Sequence, residues 1–397
     1  MLSTRQLVQL RPAVAPLAKR FFASTKVANA DHTFKLDPFD MHKIEDEGPS
    51  TDCTISSEEA IELYTQMTKI RKMETAAGDL YKTKFVRGFC HLYTGQEAVA
   101  TGMHSVLKKG DSWITSYRCH GITWLLGASM EAVLGELCGR SCGVSQGKGG
   151  SMHMYWDHFY GGNGIVGAQT SLGAGLGFYH QYKNTGGLSV AMYGDGAANQ
   201  GQLFEAMNMA KLWDLPTLFI CENNRYGMGT SQERSSASID YYARGDYIPG
   251  IRVNGMDILH VREATKYAAE YARSGKGPLV LEMVTYRYGG HSMSDPGTSY
   301  RTRDEVKKMR QGSDPIMGLK NRIIEAGMIT EEEIKAIDKQ AKEQVDAAVA
   351  VAKESPEIDD SGMVDHTYAL PIQKIRGMTM HETFTPPGYT APMDVKY

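Results

Sequence analysis

Two short apolar runs, Leu188 to Tyr193 and Leu215 to Cys221, stand on either side of one helix-period stretch from Gln202 to Trp213. Strand, helix, strand in about thirty residues implies two parallel strands joined by a right-handed crossover. Parallel neighbours bring their carboxyl ends to the same edge of a sheet, the edge where open α/β folds bind ligands. At those two ends stand Gly194-Asp195-Gly196 and Asn223-Asn224. Asp195 offers a carboxylate oxygen, Asn224 an amide oxygen and the backbone of Tyr226 a carbonyl. Three such oxygens suit Mg²⁺, which keeps water and phosphate oxygens in its remaining octahedral positions. Gly194 and Gly196 allow the backbone to approach a diphosphate, and the helix that follows is expected to turn its N-terminal dipole toward the anion. A tight turn plus an Asx turn accounts for the glycines, but not for an acid and an amide at matched strand ends.

The rest of the chain agrees with an α/β class. Ser56-Ser57-Glu58-Glu59 opens a helix running to about Tyr81, with Ala60, Leu63, Tyr64, Met67 and Ile70 on one side. Lys84 to Gly162 is Gly-rich and mixed, with one helix-like stretch near Ser129 to Cys138. Pro278 to Tyr288 reads as a buried parallel strand. Beyond it come a Ser/Gly loop, a helix capped by Thr302 and Glu305, and a long helix capped by Thr330 and Glu333 that runs to about Glu354.

The first thirty residues differ in kind. Arg5, Arg11, Lys19, Arg20 and Lys26 are scattered among apolar and hydroxyl residues, and no acid precedes Asp31, the make-up of a mitochondrial transit peptide. A disordered basic tail is the plainer alternative. Cleavage within Arg20-Phe21-Phe22-Ala23-Ser24 would remove four positive charges and take the formal net charge from -3 to -7. An acidic surface argues against nucleic acid as the main partner. No segment stays apolar for the roughly 18 residues that a membrane span needs. Six cysteines without paired CxxC spacing read as free thiols in a reducing compartment. The expected division is a transit peptide at 1–22, an N-terminal arm at 23–55, an α/β domain with helical extensions at 56–355, and a C-terminal tail at 356–397.

The segments Arg87-Gly88-Phe89-Cys90-His91, Lys148-Gly149-Gly150-Ser151-Met152-His153 and Gly161-Gly162-Asn163-Gly164-Ile165-Val166-Gly167, with the Asp195 and Asn224 ends, resemble the thiamine-diphosphate-dependent 2-oxo acid dehydrogenase family in its pyruvate-specific alpha subunits. The similarity runs from about Thr54 to Val345. It implies a thiamine-diphosphate-binding fold, a parallel sheet flanked by helices with N- and C-terminal helical extensions. It also implies thiamine diphosphate and Mg²⁺ as cofactors. The metal would be held by Asp195, Asn224 and Tyr226. The organic cofactor would be held by His91, Tyr117, Arg118, Gly164, Val166, Gly196, Ala197, Arg287 and His291 in addition. His91 and His291 are the implied catalytic groups, since imidazole titrates near the working pH. From the residues alone Tyr117-Arg118 is as readily a surface pair, and a lone histidine is more often structural.

Further implications concern partners. A carboxylate against the aminopyrimidine normally comes from a second α/β unit, and this chain has one. A beta subunit is therefore implied, with two of each chain assembling, and a lipoyl group on an acyltransferase as the acceptor. Serines at Ser292, Ser299 and Ser231 match sites that a regulatory kinase and phosphatase act on, and the loop from Gly289 to Arg301 is expected to be mobile. Phe89-Cys90-His91-Leu92-Tyr93 matches the pyruvate pattern rather than the branched-chain one, and a non-catalytic subunit keeping the fold is the alternative outside the class. Two phosphate-site look-alikes are set aside: Gly162 to Gly167 fits GxGxxG but follows Asp157-His158-Phe159-Tyr160 rather than an apolar strand, and Gly147-Lys148-Gly149 lacks both the first glycine and the Ser/Thr of a P-loop.

Overall fold

The computed structural model describes residues 31–360, Gly362 and two short paired strands at 375–376 and 383–384. The expected transit peptide, and beyond Asp360 the expected tail apart from these fragments, lie outside the described residues. The central sheet has seven strands: β2 (Asp40–His42), β4 (Ser112–Ser116), β5 (Phe159–Asn163), β6 (Ser189–Gly194), β7 (Thr217–Asn223), β10 (Gly250–Asn254) and β11 (Leu279–Val284), in the order β2-β10-β11-β7-β6-β4-β5. Only β2 is antiparallel to its neighbour. Outside it, β1 (Asp31–Lys35) pairs with β3 (Asp52–Ser56), and β8 (Tyr226–Gly227) with β9 (Thr230–Ser231).

Both faces of this sheet are apolar, as parallel strands require. Val190 and Met192 of β6 and Leu218 and Ile220 of β7 face one core, which they share with α1 (Ser57–Lys82), α2 (Glu97–His104), α4 (Met130–Leu137), α8 (Ile258–Tyr271) and α11 (Glu331–Glu354). Ala191, Tyr193, Phe219 and Cys221 alternate to the other side and meet α5 (Ala168–Tyr182) and α6 (Gly201–Leu212). α3 (His120–Leu125) follows β4, and the short α7 (Gln232–Ser235) follows β9. A third cluster joins β1 and β3 to α1 and α10 (Pro315–Glu325), whose predecessor α9 is Arg303–Ser313.

The helix caps read from sequence are present: Ser56 accepts from Glu59 N at 3.2 Å, Thr302 from Glu305 N at 3.1 Å, and Thr330 forms a reciprocal box with Glu333. All six cysteines are free thiols. No helix among the described residues is long and apolar enough to cross a membrane.

The Lys84 to Gly162 region holds more than the one helix expected near Ser129. It also forms α2, α3, β4 and β5. α5, β10, α8 and α10 were likewise not anticipated. The case of α5 is instructive, because its glycines depress helix propensity and so hide it. A Cβ at Gly173 would meet the Ala191 Cβ at 2.3 Å, and one at Gly177 would meet Thr217 Oγ1 at 2.1 Å. The glycines let the helix lie directly on β6 and β7, so packing overrides propensity. Nor does Gly162 to Gly167 lack a strand, as supposed above. It leaves β5, an edge strand of the parallel sheet, and Gly167 caps α5 with φ 89°.

Arg71 of α1 ties three elements together. It binds Glu97 at the start of α2 through two nitrogens and Asp314, the N-cap of α10, at 3.0 Å. Glu97 is fully buried and Asp314 nearly so. Removing one partner from such a set strands the others in low dielectric. Arg71→Leu should therefore lower unfolding stability by about 3–5 kcal/mol in urea titration; a loss below about 1 kcal/mol would contradict this account.

Candidate active site

β6 and β7 pair in parallel with Gly194 opposite Glu222, which sets Asp195 and Asn224 at one sheet edge. There a cavity of about 260 Å³ is walled by Tyr117, Arg118, Val166, Asp195, Gly196, Ala197, Asn224, Tyr226, Arg287 and His291, all singled out from sequence. His91 and Gly164 are not on that wall. His91 stands behind Tyr117, ring centroids 4.4 Å apart and 5.2 Å from His291. Gly164 sits in the segment leading from β5 to α5, beside the His153 ring. A larger cavity of about 320 Å³ lies between the α9–α10 corner and the ends of β10 and β11, and none of the expected site residues lines it.

Asp195 is 1 % exposed, and its Oδ2 has no hydrogen-bond partner among the described residues. Burial pushes its carboxyl up to about 6, against the pull of backbone amides and Arg287. Asn224 donates to Gln96 at 3.0 Å and accepts from Tyr226 N at 3.3 Å; Asn223 makes the matching bond to Arg225 N at 3.1 Å. Both are Asx turns, so the plainer reading of these asparagines is realised in the backbone. It leaves the Asp195 oxygen unexplained, and the Asn224 oxygen still has a second lone pair. The helix expected directly after Gly196 begins later, at Gly201. A 3₁₀ turn at Ala197–Asn199 comes first and brings its own amides near the cavity.

The strongest electrostatic feature is cationic. Arg118 is 4 % and Arg287 1 % exposed, and among the described residues neither forms an ion pair with a carboxylate. Arg118 binds the carbonyls of Leu92 at 2.8 Å and His291 at 2.5 Å. Arg287 binds those of Tyr226, Met228 and Gly289, and the Tyr300 hydroxyl at 2.8 Å. Carbonyls solvate a guanidinium without neutralising it, and the acids of the same wall, Asp195 and Glu222, act on the two arginines only through space, without a direct ion pair. Desolvation lowers the pKa of both, that of Arg118 to about 10. The surface pair that Tyr117-Arg118 could have been is thereby excluded.

The sequence reading missed six further wall residues, Gly227 and Met228 of the β8–β9 turn and four polar ones. Gln96 positions Asn224. Gln169 is fully buried with both side-chain polar atoms unpartnered. Ser116 ends β4. Glu222 takes the Tyr93 hydroxyl at 2.5 Å. Only Glu222, an acid closing an apolar run beside Asn223, carried a local signal.

The loop from Gly289 to Arg301, expected to be mobile, is internally tied. Asp295 accepts from His291 N at 2.6 Å, Gly297 N at 2.8 Å and the Tyr300 hydroxyl at 2.5 Å; these bonds hold its carboxyl below the usual range against the opposing effect of burial. Arg301 binds the carbonyls of Arg287, Tyr288 and Gly289. Ser292 is buried against Ser294, Ser299 is exposed and Ser231 is half-buried. The P-loop look-alike is a nest filled by protein: the Glu136 carboxylate accepts from the amides of Ser145, Gly147, Gly149 and Gly150 at 2.7–3.1 Å.

Burial, reinforced by Arg118, depresses His91 to about 3 and His291 to about 4. Both imidazoles are neutral at the working pH, each with an unpartnered Nδ1. Below the ordinary value near 6.5 the unfolded chain takes up protons that the folded site refuses, so their contribution to stability falls as pH drops from about 6.5 toward 4. Histidine NMR titration of the cofactor-free protein should show both rings neutral down to about pH 5. Protonation of either near 6.5 would refute the assignment.

The chain is similar to known proteins over most of its length. Residues 65–360 match the family model described as Dehydrogenase E1 component. A Caenorhabditis elegans protein named as a probable mitochondrial pyruvate dehydrogenase E1 component subunit alpha is 57% identical over 92% of this chain and 92% of its own. The mitochondrial E1 alpha subunit of Saccharomyces cerevisiae is 60% identical over 78% of this chain and 74% of its own, and the human somatic form 51% identical over 91% and 93%. A glycine-flanked acid at one strand end, an amide at the next and a family match across six of the sheet's seven strands lead to one conclusion: the chain belongs to the dehydrogenase E1 component family.

Proposed function

We propose that this chain is the alpha subunit of a mitochondrial, thiamine-diphosphate-dependent pyruvate dehydrogenase, which decarboxylates pyruvate and passes the two-carbon unit to a lipoyl group on an acyltransferase partner. The observation that carries this reading is a pair of buried guanidiniums, Arg118 and Arg287, without a direct ion pair among the described residues, beside a buried Asp195 oxygen without a partner there, on the wall of one cavity. A cation site beside an anion site fits a diphosphate bridged by a divalent metal. Names of relatives such as the human and nematode proteins support pyruvate as the substrate and the mitochondrion as the location.

In this reading Asp195, Asn224 and the Tyr226 carbonyl hold Mg²⁺, an all-oxygen set suited to that ion. Among the described residues no cluster of three or more His, Cys, Asp or Glu competes for a metal. Tyr117, Arg118, Arg287 and the amides of Gly196 and Ala197 take the diphosphate. The Gly164 to Val166 backbone takes the aminopyrimidine. Bound thiamine diphosphate supplies the nucleophilic carbon and the electron sink for loss of carbon dioxide. His91, neutral, donates to the substrate oxygen and orients it. His291 orders the phosphate side and the loop beyond it.

Completion of the site by a beta subunit, in a two-alpha, two-beta assembly, is supported by the outer surface of α5 and α6. Leu172, Phe178, Tyr179, Tyr182, Leu212 and Trp213 are all exposed there, with Phe178 in contact with Tyr182 and Trp213, the kind of apolar side chains a partner chain would cover. Ser292, Ser299 and Ser231 are the proposed targets of a regulatory kinase and phosphatase. A dianion at Ser292 would meet the Asp295 carboxylate that organises the loop and would loosen it.

The test is decarboxylation of pyruvate and of branched-chain 2-oxo acids by the chain assembled with a beta subunit, with and without thiamine diphosphate and Mg²⁺. Pyruvate turnover should require both cofactors, and Ser292→Glu should reduce it by ~10-fold or more. Preference for a branched acid would move the chain to that branch of the family. No turnover of either acid by a loaded complex would leave a non-catalytic subunit.

A further inference from the structure

Behind the ring cluster of His91, Tyr117 and His291 runs a buried chain of side chains that cofactor binding does not use. His120 Nδ1 lies 2.9 Å from Glu74 Oε2, and His120 Nε2 lies 2.8 Å from Ser151 Oγ. Glu74 and His120 are at most 1 % exposed and Ser151 is 3 % exposed. Carboxylate, imidazole and hydroxyl in a row is the arrangement that activates a serine nucleophile. Ser151 is buried, however, and its Oγ is already engaged by His120 and by the chain that carries His91. Its Oγ instead accepts from the backbone N–H of His91 at 3.4 Å. Nδ1 faces the Glu74 carboxylate, and Nε2 faces both the Ser151 hydroxyl and, at 3.1 Å, the Ser151 carbonyl, so the imidazole fixes the serine's side chain and backbone together while Oγ meets the His91 amide.

His91 needs such a support. It lies in a segment without regular secondary structure, and its Nδ1 has no partner, so its ring is placed by its peptide rather than by its own bonds. The neighbouring carbonyls are held by Met293 N on Cys90 O and Arg118 on Leu92 O, both at 2.8 Å. The amide of His91 itself depends on Ser151. Ser151 closes the glycine-rich loop that the Glu136 carboxylate fixes through four backbone amides.

We propose that Glu74, His120 and Ser151 are positioning residues for His91, a relay that holds the His91 peptide so that its imidazole keeps its place against Tyr117 and His291. The proposal rests on the catalytic reading above and adds the groups that make His91 effective.

The test uses the assembled complex, with kcat and KM for pyruvate and thiamine diphosphate affinity measured in Mg²⁺. Ser151→Ala should lower kcat about tenfold to hundredfold, the scale of a misplaced catalytic group. Cofactor affinity should change by less than about threefold. Glu74→Gln, whose amide oxygen still accepts from Nδ1–H, should keep most of the activity that Glu74→Leu loses. His91→Ala combined with Ser151→Ala should be no slower than His91→Ala alone, because Ser151 acts through His91. Multiplicative losses in the double variant, or an unchanged kcat for Ser151→Ala, would overturn the relay. If Glu74→Leu does not assemble, the Ser151 variants, which remove a single oxygen, decide the matter. An inactive wild-type complex overturns the functional reading and the relay together, whereas an active wild type with multiplicative losses overturns the relay alone.

Discussion

β6 and β7 lie side by side in parallel, and their pairing ends with Gly194 opposite Glu222. That register brings a carboxylate from one strand and an amide from the next to a common edge. A slip of one residue would turn every apolar side chain of one strand toward the opposite core. The register is held by apolar burial on both sides of the sheet, with Met192 and Ile220 facing one core and Ala191 and Phe219 the other. The glycines of α5 allow the covering helix to press directly on these strands. The chemistry at the edge is thus set by packing far inside it.

The second constraint is the charge placed beside that edge. Burying Arg118 and Arg287 is costly, and backbone carbonyls offset part of the cost without cancelling the charge. Because the carbonyls belong to Leu92, His291, Tyr226, Met228 and Gly289, the two guanidiniums also bind together the loop bearing His91, the β8–β9 turn and the loop beyond β11. Arg301 extends the tie by holding the carbonyls of Arg287 to Gly289. An anion arriving in the pocket meets donors already oriented and pays little reorganisation. The same connectivity means that a change at Ser292 or Asp295 is felt at His291 and Arg118, which is a physical route for control by charge.

Much of this was legible in the sequence, for identifiable reasons. Buried parallel strands are apolar runs, so β6, β7 and β11 stood out, and the caps at Ser56, Thr302 and Thr330 marked three helices. Asp195 and Asn224 were visible because polar residues interrupt such runs at their ends. What was hidden depends on tertiary structure. β5 is an edge strand with two glycines, α5 is glycine-rich because it lies against the sheet, and Gln96 and Gln169 acquire meaning only where the fold places them. The segment from Ile258 to Tyr271 did carry a signal, with Asp257 as a cap accepting from Leu259 N at 3.1 Å, and was passed over. The depth of Arg118 and Arg287 could not be read at all, since an arginine in sequence looks the same in solvent and in a core.

The account turns on Asp195 being a metal ligand rather than the tail of a tight turn, and one binding measurement addresses it. Thiamine diphosphate is titrated into the assembled complex in Mg²⁺, wild type against Asp195→Asn, with thermal unfolding of the cofactor-free protein as the control for folding. A ligand role predicts a loss of affinity of about a hundredfold or more, with the cofactor-free melting temperature unchanged or raised because a lone buried carboxylate has been removed. Equal affinity in the two proteins would contradict the central claim and leave Asp195 a structural residue.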